Sequence, residues 1–388
     1  MSLHSTQSTN LRKNDSRIRV VLVVFSANGG TFQYPALLAN ALAERLEITV
    51  FMPSAATPSE YLSGDVKTIT YSKEGCYFPL TLLYILVLYV IRERPDVIHF
   101  PFYTWKVGVL PLILRLLGVS VVGTLHDPES HIDDIKKIRG HSFDVLARLR
   151  SLSSIGTARV IVHGNRTQDQ ALRLGIPERK IEIVPHGLYS QFAEEEQMPM
   201  SSPLPERYVL FFGTIRKNKG FDLIPDIISV ANNLADEEVK GVVAGAPKKN
   251  EEWGNQLLDN LKEIQNLTVY DRYIQDGKVQ TLFKNADAIV LPYRDATMSG
   301  VAMIAYTFEV PMVVTNVGDL GRTVKEDGTG IVVESLDPND IGTAIADIFS
   351  EDDQRDLLVE NLSNARSQYT WDQIATKTVA VYERAMSQ

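Results

Sequence analysis

Two basic residues follow a glycine-ended apolar run in the second half of the chain. The segment reads FFGTIRKNKGFDLI, with Gly213 and Thr214 at the end of the apolar run. Arg216 and Lys219 lie in the turn before the next predicted helix. Fixed cations beside a helix N-terminus bind anions such as a diphosphate, and they stabilise the charge that develops when a diphosphate leaves. The segment therefore predicts a diphosphate site, with a merely solvated turn as the alternative.

A second polar segment, LPYRDATMSGVAMIAY, follows another predicted strand. Asp295 and Thr297 lie in its loop, and Ser299 and Gly300 open an apolar helix. Serine is a good helix N-cap, and glycine lets a ligand approach the free amides of the first turn. We therefore expect this helix N-terminus and the basic turn to face the same anionic ligand.

A histidine and an aspartate end the fifth predicted strand, in the segment TLHDPESH. Pro128 prevents a helix there, so His126 and Asp127 are predicted to lie in a loop at the carboxyl end of a buried strand. Ligands of open α/β sheets bind at that edge, and we predict both residues as site residues. Three other histidines are interpreted as structural residues: His99, His163 and His186.

A pair of glycines follows the first predicted strand. The segment SANGGTFQYP places Gly29 and Gly30 before a helix that is expected to begin near Pro35. Adjacent glycines permit a tight turn and a close approach of backbone N–H groups to a phosphate. The spacing is not G-x-G-x-x-G and no acid ends the second strand, so a dinucleotide-binding fold is disfavoured. A plain structural turn is the alternative to a ligand contact.

Short β-branched runs alternate with helical stretches along the chain, which is typical of parallel α/β sheets. A length of 388 residues suits two domains, and an acidic, proline-containing segment without periodicity predicts a linker between them. We predict two doubly wound, Rossmann-like domains that face each other across a ligand cleft. The predicted parts are a disordered tail (1–17), an N-terminal domain (18–190), a linker (191–206), a C-terminal domain (207–370) and a last helix (371–388) that could pack back on the N-terminal domain.

The composition indicates which kinds of partner the protein binds and in which compartment it occurs. The formal net charge is −9, which argues against nucleic acid, and the single cysteine, Cys76, excludes an internal disulfide or a cysteine-cluster zinc site. The first residues lack the apolar segment of a secretion signal, so we expect a cytoplasmic protein. Residues 1–200 hold 21 basic and 19 acidic residues, whereas the remainder holds 18 and 29. The first half is thus better suited to an anionic surface or acceptor, although surface solvation alone would also explain the difference.

The run FPLTLLYILVLYVI, at residues 78–91, is 14 residues long and uncharged. A helix that spans a membrane needs about 20 apolar residues, so this run is too short. We interpret it as a buried crossover helix. The alternative is an interfacial helix in weak peripheral contact with the inner face of a membrane, because tyrosines and basic residues accompany the run: Tyr84, Tyr89, Arg92 and Arg94.

The order of several short motifs resembles the retaining glycosyltransferases of family 4, also called group 1. These motifs are the GG loop, HDP, VIVHGN, VPHG, GTIRKNKG, VYDRYIQDGKV, DAIVLPY and PMVVTNVG. The resemblance covers the chain from about residue 18 and implies the two-domain GT-B architecture. It implies that the N-terminal domain (18–190) lies on the acceptor side and that the C-terminal domain (207–370) binds the nucleotide sugar. It also implies a hexosyltransferase of polysaccharide biosynthesis, which transfers a sugar from a UDP- or GDP-linked donor to a glycan or lipid-linked acceptor without a metal or another cofactor.

The same resemblance assigns roles to individual residues. Catalytic roles are implied for His126, which would contact the donor sugar, and for Arg216 and Lys219, which would hold the donor diphosphate. The residues implied to border the base or to offer amides to the phosphates are Tyr273, Ile274, Ser299, Gly300 and Val301. In the family mechanism the departing phosphate accepts the proton of the acceptor hydroxyl, so no carboxylate pair of the glycosidase kind is needed.

One departure from the family concerns its Glu-x7-Glu motif. The two corresponding positions hold Ala296 and Ile304, and Asp295 lies one position out of register. A subset of bacterial relatives reads S-G-V in this segment, as this chain does. Two alternatives therefore stay open beside transfer: a nucleotide-sugar epimerase of the same shape, and an inactive relative that acts as a binding partner.

Overall fold

The computed structural model describes residues 17–26, 30–55, 61–72, 78–102, 110–126, 156–247 and 251–387. The predicted disordered tail lies outside these ranges apart from its last residue, Arg17. Gly29 and Asp127 also lie outside them. None of the helices in the described part of the chain is long and apolar enough to cross a membrane.

The first sheet contains seven parallel strands in the order β3-β2-β1-β4-β5-β6-β7. The strands are β1 Arg19–Val23, β2 Glu47–Pro53, β3 Lys67–Tyr71, β4 Val97–Phe100, β5 Ser120–Leu125, β6 Arg159–Val162 and β7 Ile181–Ile183. The helices in the described part of this domain are α1 Gly30–Ala43, α2 Phe78–Glu93, α3 Leu110–Leu116 and α4 Asn165–Arg173.

Both faces of this sheet are buried, which explains why its strands are almost continuously apolar. In β1, Val20 and Leu22 pack into a core with α1, whereas Val21 and Val23 pack into a separate core with α2. Successive side chains of a strand point to opposite faces, so one short strand contributes to both cores. The helix α1 begins at Gly30, five residues before the predicted start, and contains Pro35.

The second sheet contains six parallel strands in the order β10-β9-β8-β11-β12-β13. The strands are β8 Val209–Phe212, β9 Gly241–Ala244, β10 Leu267–Tyr270, β11 Ala288–Leu291, β12 Met312–Thr315 and β13 Gly330–Val333. The helices are α5 Gln191–Glu194, α6 Ile224–Leu234, α7 Glu252–Lys262, α8 Asp276–Lys284, α9 Gly300–Phe308, α10 Gly318–Asp327, α11 Pro338–Ser350 and α12 Asp352–Ala365. The short helix α5 occupies the start of the segment that was predicted to be an irregular linker.

The last helix, α13 (Trp371–Met386), packs against α1 and against strands of the first sheet. The hydroxyl group of Tyr382 lies 2.7 Å from Nδ1 of His99 in β4, and Arg384 donates two hydrogen bonds of 2.9 and 3.0 Å to Glu182 in β7. The chain therefore returns from the second domain to the first at its C-terminal end.

The strand order reverses direction between β1 and β4 in the first sheet and between β8 and β11 in the second. A doubly wound sheet binds its ligand in the crevice at such a switch point, beyond the carboxyl ends of the strands. The prediction of two Rossmann-like domains in the GT-B arrangement is confirmed.

Candidate functional site

A cavity of about 720 Å³ lies between the two domains. Thirteen of the fifteen predicted site residues line it, and the other two, Gly29 and Asp127, lie outside the described residues. From the N-terminal domain the cavity receives Gly30 and His126; the other predicted residues come from the C-terminal domain: Gly213, Thr214, Arg216, Lys219, Tyr273, Ile274, Asp295, Thr297, Ser299, Gly300 and Val301.

The basic turn is held in place by its neighbours. Arg216 precedes a single turn of 3-10 helix that ends at Gly220, whose φ of 69° is left-handed. A Cβ atom at Gly220 would lie 2.0 Å from the carbonyl oxygen of Pro292, so the turn packs tightly on the loop after β11. Arg294 in that loop donates its N–H to the carbonyl of Asn218 at 2.7 Å and pairs with Asp222 at 2.7 Å. The turn is therefore preorganised before any ligand binds.

Both cations of this turn line the cavity. The Nε atom of Arg216 is buried and has no hydrogen-bond partner among the described residues. The ammonium group of Lys219 lies 5.1 Å from the ring centroid of Tyr293 and 2.9 Å from the position that a Cβ atom would take at Gly213. Gly213 itself has a φ of 120°, which favours glycine. A guanidinium and an ammonium group in the wall of one cavity are an arrangement that suits an anionic ligand.

The helix α9 opens on the same cavity. Its N-cap is Ser299, whose hydroxyl oxygen accepts the N–H of Ala302 at 3.4 Å, and its first residue is Gly300. The first-turn amides carry the positive end of the helix dipole and have no acceptor within the helix. The basic turn and this helix N-terminus thus line one cavity.

Sequence reasoning missed Tyr189, which lies between the two glycine-opened helices. A Cβ atom added at Gly30, the first residue of α1, would lie 3.2 Å from the hydroxyl oxygen of Tyr189. A Cβ atom added at Gly300 would lie 3.0 Å from the same oxygen. The backbone N–H of Tyr189 donates to Thr307 in α9 at 3.2 Å. Burial raises the pKa of Tyr189, so the hydroxyl stays protonated. Gly30 and Gly300 therefore leave room for the side chain of Tyr189. The prediction of a glycine turn that approaches a phosphate did not include this tyrosine.

Gly245 was also missed. It follows β9, lines the cavity, and a Cβ atom there would lie 1.9 Å from the carbonyl oxygen of Gly213. The ends of β8 and β9 can approach this closely only with glycine. The signal in the sequence is the glycine in AGAP directly after a predicted strand, the same pattern that identified Gly213.

His126 lies in an aromatic and imidazole cluster. Phe102 stacks on its ring at 4.1 Å, and Tyr34 approaches its edge at 4.6 Å. His126 Nδ1 lies 3.0 Å from His163 Nε2, and His126 Nε2 lies 2.9 Å from the carbonyl oxygen of Pro101. His163 was interpreted as a structural residue; it contacts the carbonyl of Val184 at 2.9 Å, but it also contacts His126.

The imidazoles of this cluster are neutral near pH 7. Burial lowers the pKa of His126 well below its ordinary value, and the neighbouring imidazoles His163 and His186 lower it further. Burial lowers the pKa of His163 to about 4 and that of His186 to about 3. His186, predicted to be structural, contributes to the cavity wall beside Tyr34, with a ring distance of 4.9 Å.

The part of the cavity assigned to the base combines an exposed and a buried residue. Tyr273 is 68% exposed, whereas Ile274 is 6% exposed. Nearby, Asp276 at the start of α8 accepts a hydrogen bond of 2.9 Å from the hydroxyl group of Tyr61 in the N-terminal domain. Ala296 and Ile304, at the positions of the family's two glutamates, both line the cavity. The two apolar residues that stand in place of the family's glutamates therefore lie within the site.

Two parallel α/β domains around a shared cavity are the architecture of GT-B-type glycosyltransferases. A family model described as glycosyltransferase family 4 matches residues 28–191, and a model described as glycosyl transferases group 1 matches residues 206–351. Together they match most of the chain, which belongs to this family of glycosyltransferases.

Individual relatives agree with this placement. The chain is 22% identical over 307 residues to the D-inositol 3-phosphate glycosyltransferase of Paenarthrobacter aurescens, covering 76% of this chain and 74% of that protein. The sucrose-phosphate synthase of Thermosynechococcus elongatus superimposes with a TM-score of 0.73 at 17% identity, over 96% of this chain and all of that chain. HepE of Anabaena in complex with UDP and glucose superimposes with a TM-score of 0.70 at 14% identity, over 94% and 99% of the two chains.

Proposed function

We propose that this protein transfers a hexose from a UDP- or GDP-linked donor, and that the cavity between its domains binds the donor diphosphate. The observation that carries the proposal is that two cations, Arg216 and Lys219, line the same cavity as the N-terminus of α9. The solved complex of HepE with UDP and glucose, which shares the fold, supports a nucleotide-linked donor.

Transfer is proposed to retain the configuration at the anomeric carbon. The bond from that carbon to the donor phosphate breaks, the acceptor oxygen bonds on the same face, and the departing phosphate receives the hydroxyl proton. Arg216 and Lys219 would stabilise the charge that grows on the diphosphate as the bond breaks, because they are already placed when the ligand arrives. These two cations can supply the charge without a resident metal ion, so we propose that no cofactor is required.

The acceptor is proposed to be an anionic glycan or lipid-linked molecule that the N-terminal domain receives. The similarity to proteins named D-inositol 3-phosphate glycosyltransferase and sucrose-phosphate synthase supports a phosphorylated acceptor. The more basic first half of the chain agrees with the same chemistry. We therefore propose that the transfer serves polysaccharide or glycolipid synthesis.

A face of α2 offers a contact with a membrane surface. Leu82, Leu86 and Val90 are buried, which agrees with the prediction of a core crossover helix. Tyr84, however, is 65% exposed, and Leu88 and Ile91 on the same face are exposed with it. Exposed Arg92 and Arg94 follow directly. An apolar stripe with adjoining arginines suits an anionic bilayer surface, so we propose weak peripheral association through this face.

The experiment that tests the donor proposal is a thermal-shift screen of nucleotide sugars, followed by product analysis. A ligand at 100 times its dissociation constant stabilises a protein by about 2.7 kcal/mol, so the correct donor should raise the melting temperature. Arg216→Ala should lose this shift. Incubation with and without acceptor, with the anomers resolved, then separates transfer from epimerisation. Absence of any shift with all UDP- and GDP-linked sugars would overturn the proposal and favour an inactive binding protein.

A further inference from the structure

His126 and His163 form a continuous array that ends in two backbone carbonyl groups. The carbonyl oxygen of Val184 lies 2.9 Å from His163 Nδ1, and His163 Nε2 lies 3.0 Å from His126 Nδ1. At the other end, His126 Nε2 lies 2.9 Å from the carbonyl oxygen of Pro101. All four ring nitrogens are therefore within hydrogen-bond distance of a partner, in three consecutive contacts.

The array has room for three protons. A carbonyl oxygen can only accept, so each outer nitrogen must carry a proton to form its hydrogen bond. The contact between the two rings needs a third proton on one of its nitrogens. Two neutral imidazoles carry only two N–H protons between them. A neutral pair therefore leaves one of the three contacts without a hydrogen, whereas a pair with a single positive charge forms all three bonds.

Two other buried histidines do not have this deficit. His99 contacts the hydroxyl groups of Tyr382 at 2.7 Å and Thr124 at 2.8 Å. A hydroxyl group can donate or accept, so a neutral His99 satisfies both contacts. His186 contacts the carbonyl oxygen of Gly187 through Nδ1 at 2.7 Å, which one N–H satisfies. Among the described histidines the deficit is thus specific to the pair that touches the cavity.

The surroundings of the pair keep it neutral until an anion arrives. Phe102, Tyr34 and His186 pack against it, and His99 also acts on His126 electrostatically. Each of these groups is uncharged near neutral pH, and burial opposes a charge on either ring. His126 lines the cavity that also receives Arg216 and Lys219 from the other domain. Asp127, next along the chain, lies outside the described residues.

We propose that the His126–His163 pair takes up one proton when a nucleotide diphosphate binds in the cavity, and that His163 is the positioning residue that shares this proton with His126. The inference rests on the proposed donor site. The proton comes from solvent, and no covalent bond changes. The negative charge of the ligand supplies the stabilisation that the empty cavity lacks, and the third hydrogen bond of the array forms at the same time. His126 then carries positive charge toward the donor while its ring is held at both nitrogens.

Titration calorimetry with UDP, and separately with GDP, measures this uptake. At pH 7.5 the phosphates of the probe are largely ionised, because their last pKa is about 6. Runs in HEPES and in Tris buffer, which differ in ionisation enthalpy and add no phosphate, give the number of protons exchanged. We expect uptake approaching one proton by the wild-type protein. Affinity should fall by up to about tenfold per pH unit between the pKa of the free pair and the higher pKa of the occupied pair, and level off above the latter.

The matched variants are His163→Phe and His99→Gln. His163→Phe should bind nucleotide with no proton uptake, because a neutral His126 can then donate to Pro101 alone. His99→Gln, which changes a buried histidine outside the array, should keep the uptake of the wild type. Asp127→Asn shows whether that carboxylate, and not the pair, takes the proton; loss of uptake in this variant with His163→Phe unaffected would overturn the inference.

Spectroscopy of the wild-type protein gives a second readout if His163→Phe does not fold. Protein labelled with ¹⁵N-histidine should show imidazolium signals from one pair when UDP or GDP is added, whereas the signals of His99 should stay those of a neutral ring. Nucleotide binding without proton uptake and without imidazolium signals would overturn the inference and leave the donor site intact. Absence of binding by either nucleotide would overturn the donor site itself.

Discussion

The carboxylate of Asp319, in the C-terminal domain, accepts the backbone N–H of Thr167 in the N-terminal domain at 2.9 Å. It also accepts the N–H of Arg166 at 2.8 Å and the hydroxyl group of Thr167. The N-cap of this helix, α4, is Gly164, which has no side chain to cap with, and a Cβ atom there would lie 2.3 Å from Asp319 Cγ. One domain thus caps a helix of the other.

Asp319→Ala is expected to loosen the contact between the domains. The carboxylate is buried (2% exposed), so its removal leaves two backbone N–H groups unpaired, at a cost of about 1–3 kcal/mol each if they stay buried. We expect lower stability in chemical unfolding and a larger radius of gyration in solution scattering. Asp337→Ala is the control, because Asp337 caps α11 within one domain through the N–H of Asn339. An Asp319→Ala protein with unchanged stability and dimensions would refute this function of Asp319.

Loss of either cation from the basic turn is expected to slow turnover. Removal of one group that stabilises transition-state charge typically costs about 10²-fold or more, which we expect for Arg216→Ala and for Lys219→Ala. The control is Lys217→Ala, because Lys217 is exposed in the same turn and its ammonium group lies over the ring of Trp253 at 5.8 Å. Initial rates with the donor found in the screen measure the effect. Wild-type rates in a folded Arg216→Ala/Lys219→Ala double variant would contradict the diphosphate assignment.

His126→Ala is expected to lower turnover by more than it weakens binding of a nucleoside diphosphate. His126 contributes to the cavity wall from the N-terminal domain, whereas the cations that would hold the phosphates belong to the other domain. Steady-state rates and calorimetry with UDP or GDP separate the two effects. Complete loss of nucleotide binding by a folded His126→Ala protein would show that the residue contacts the phosphates instead of the sugar.

The exposed face of α2 is expected to bind anionic vesicles weakly and only at low salt. Each basic residue near such a surface contributes about 1 kcal/mol, and salt screens this attraction within about 10 Å. Flotation with anionic and neutral vesicles, at low and high salt, measures the association. Tyr84→Ser with Leu88→Ser should abolish it, whereas Leu357→Ser, at a 55% exposed position in the other domain, should not. Absence from both kinds of vesicle at low salt would leave a soluble acceptor as the better proposal.

Acid is expected to destabilise the ligand-free protein through its buried histidines. Burial lowers the pKa of His99 and His186 to about 3 and that of His163 to about 4, against 6.5 for an exposed histidine. Between the folded and unfolded pKa values, the unfolded state binds more protons than the folded state. The histidines therefore contribute their whole stabilisation above about pH 6.5, and the free energy of unfolding falls as the pH decreases below that value. The fall is about 1.4 kcal/mol per pH unit for each histidine. Urea unfolding between pH 7.5 and 5 measures it.

The control for this pH dependence is His99→Gln. It removes one of the buried histidines. The slope of the free energy of unfolding against pH should therefore decrease by about 1.4 kcal/mol per pH unit, the contribution of one histidine. An unchanged slope would show that His99 is not kept neutral by burial in the folded state.

The amino-acid sequence by itself determined the two alternating α/β domains and most of the cavity lining. Strand–loop–helix junctions could be recognised because the local sequence determines the backbone there. In a parallel sheet, all junctions at the carboxyl ends of the strands lie at one edge. This reasoning identified Arg216, Lys219, Ser299 and Gly300. The same logic could have found Gly245, whose strand-end position matches that of Gly213.

Tertiary structure alone decided which distant segments meet at these junctions. His126 and His163 are 37 residues apart, and Thr167 and Asp319 are 152 residues apart, so their contacts depend on strand order and on how the domains meet. Tyr189 lies between the first residues of α1 and α9 for the same reason. Periodicity and turn chemistry describe a segment and its immediate neighbours. A hydrogen bond between side chains from separate strands, or between a carboxylate and the helix of another domain, exists only once the chain has packed.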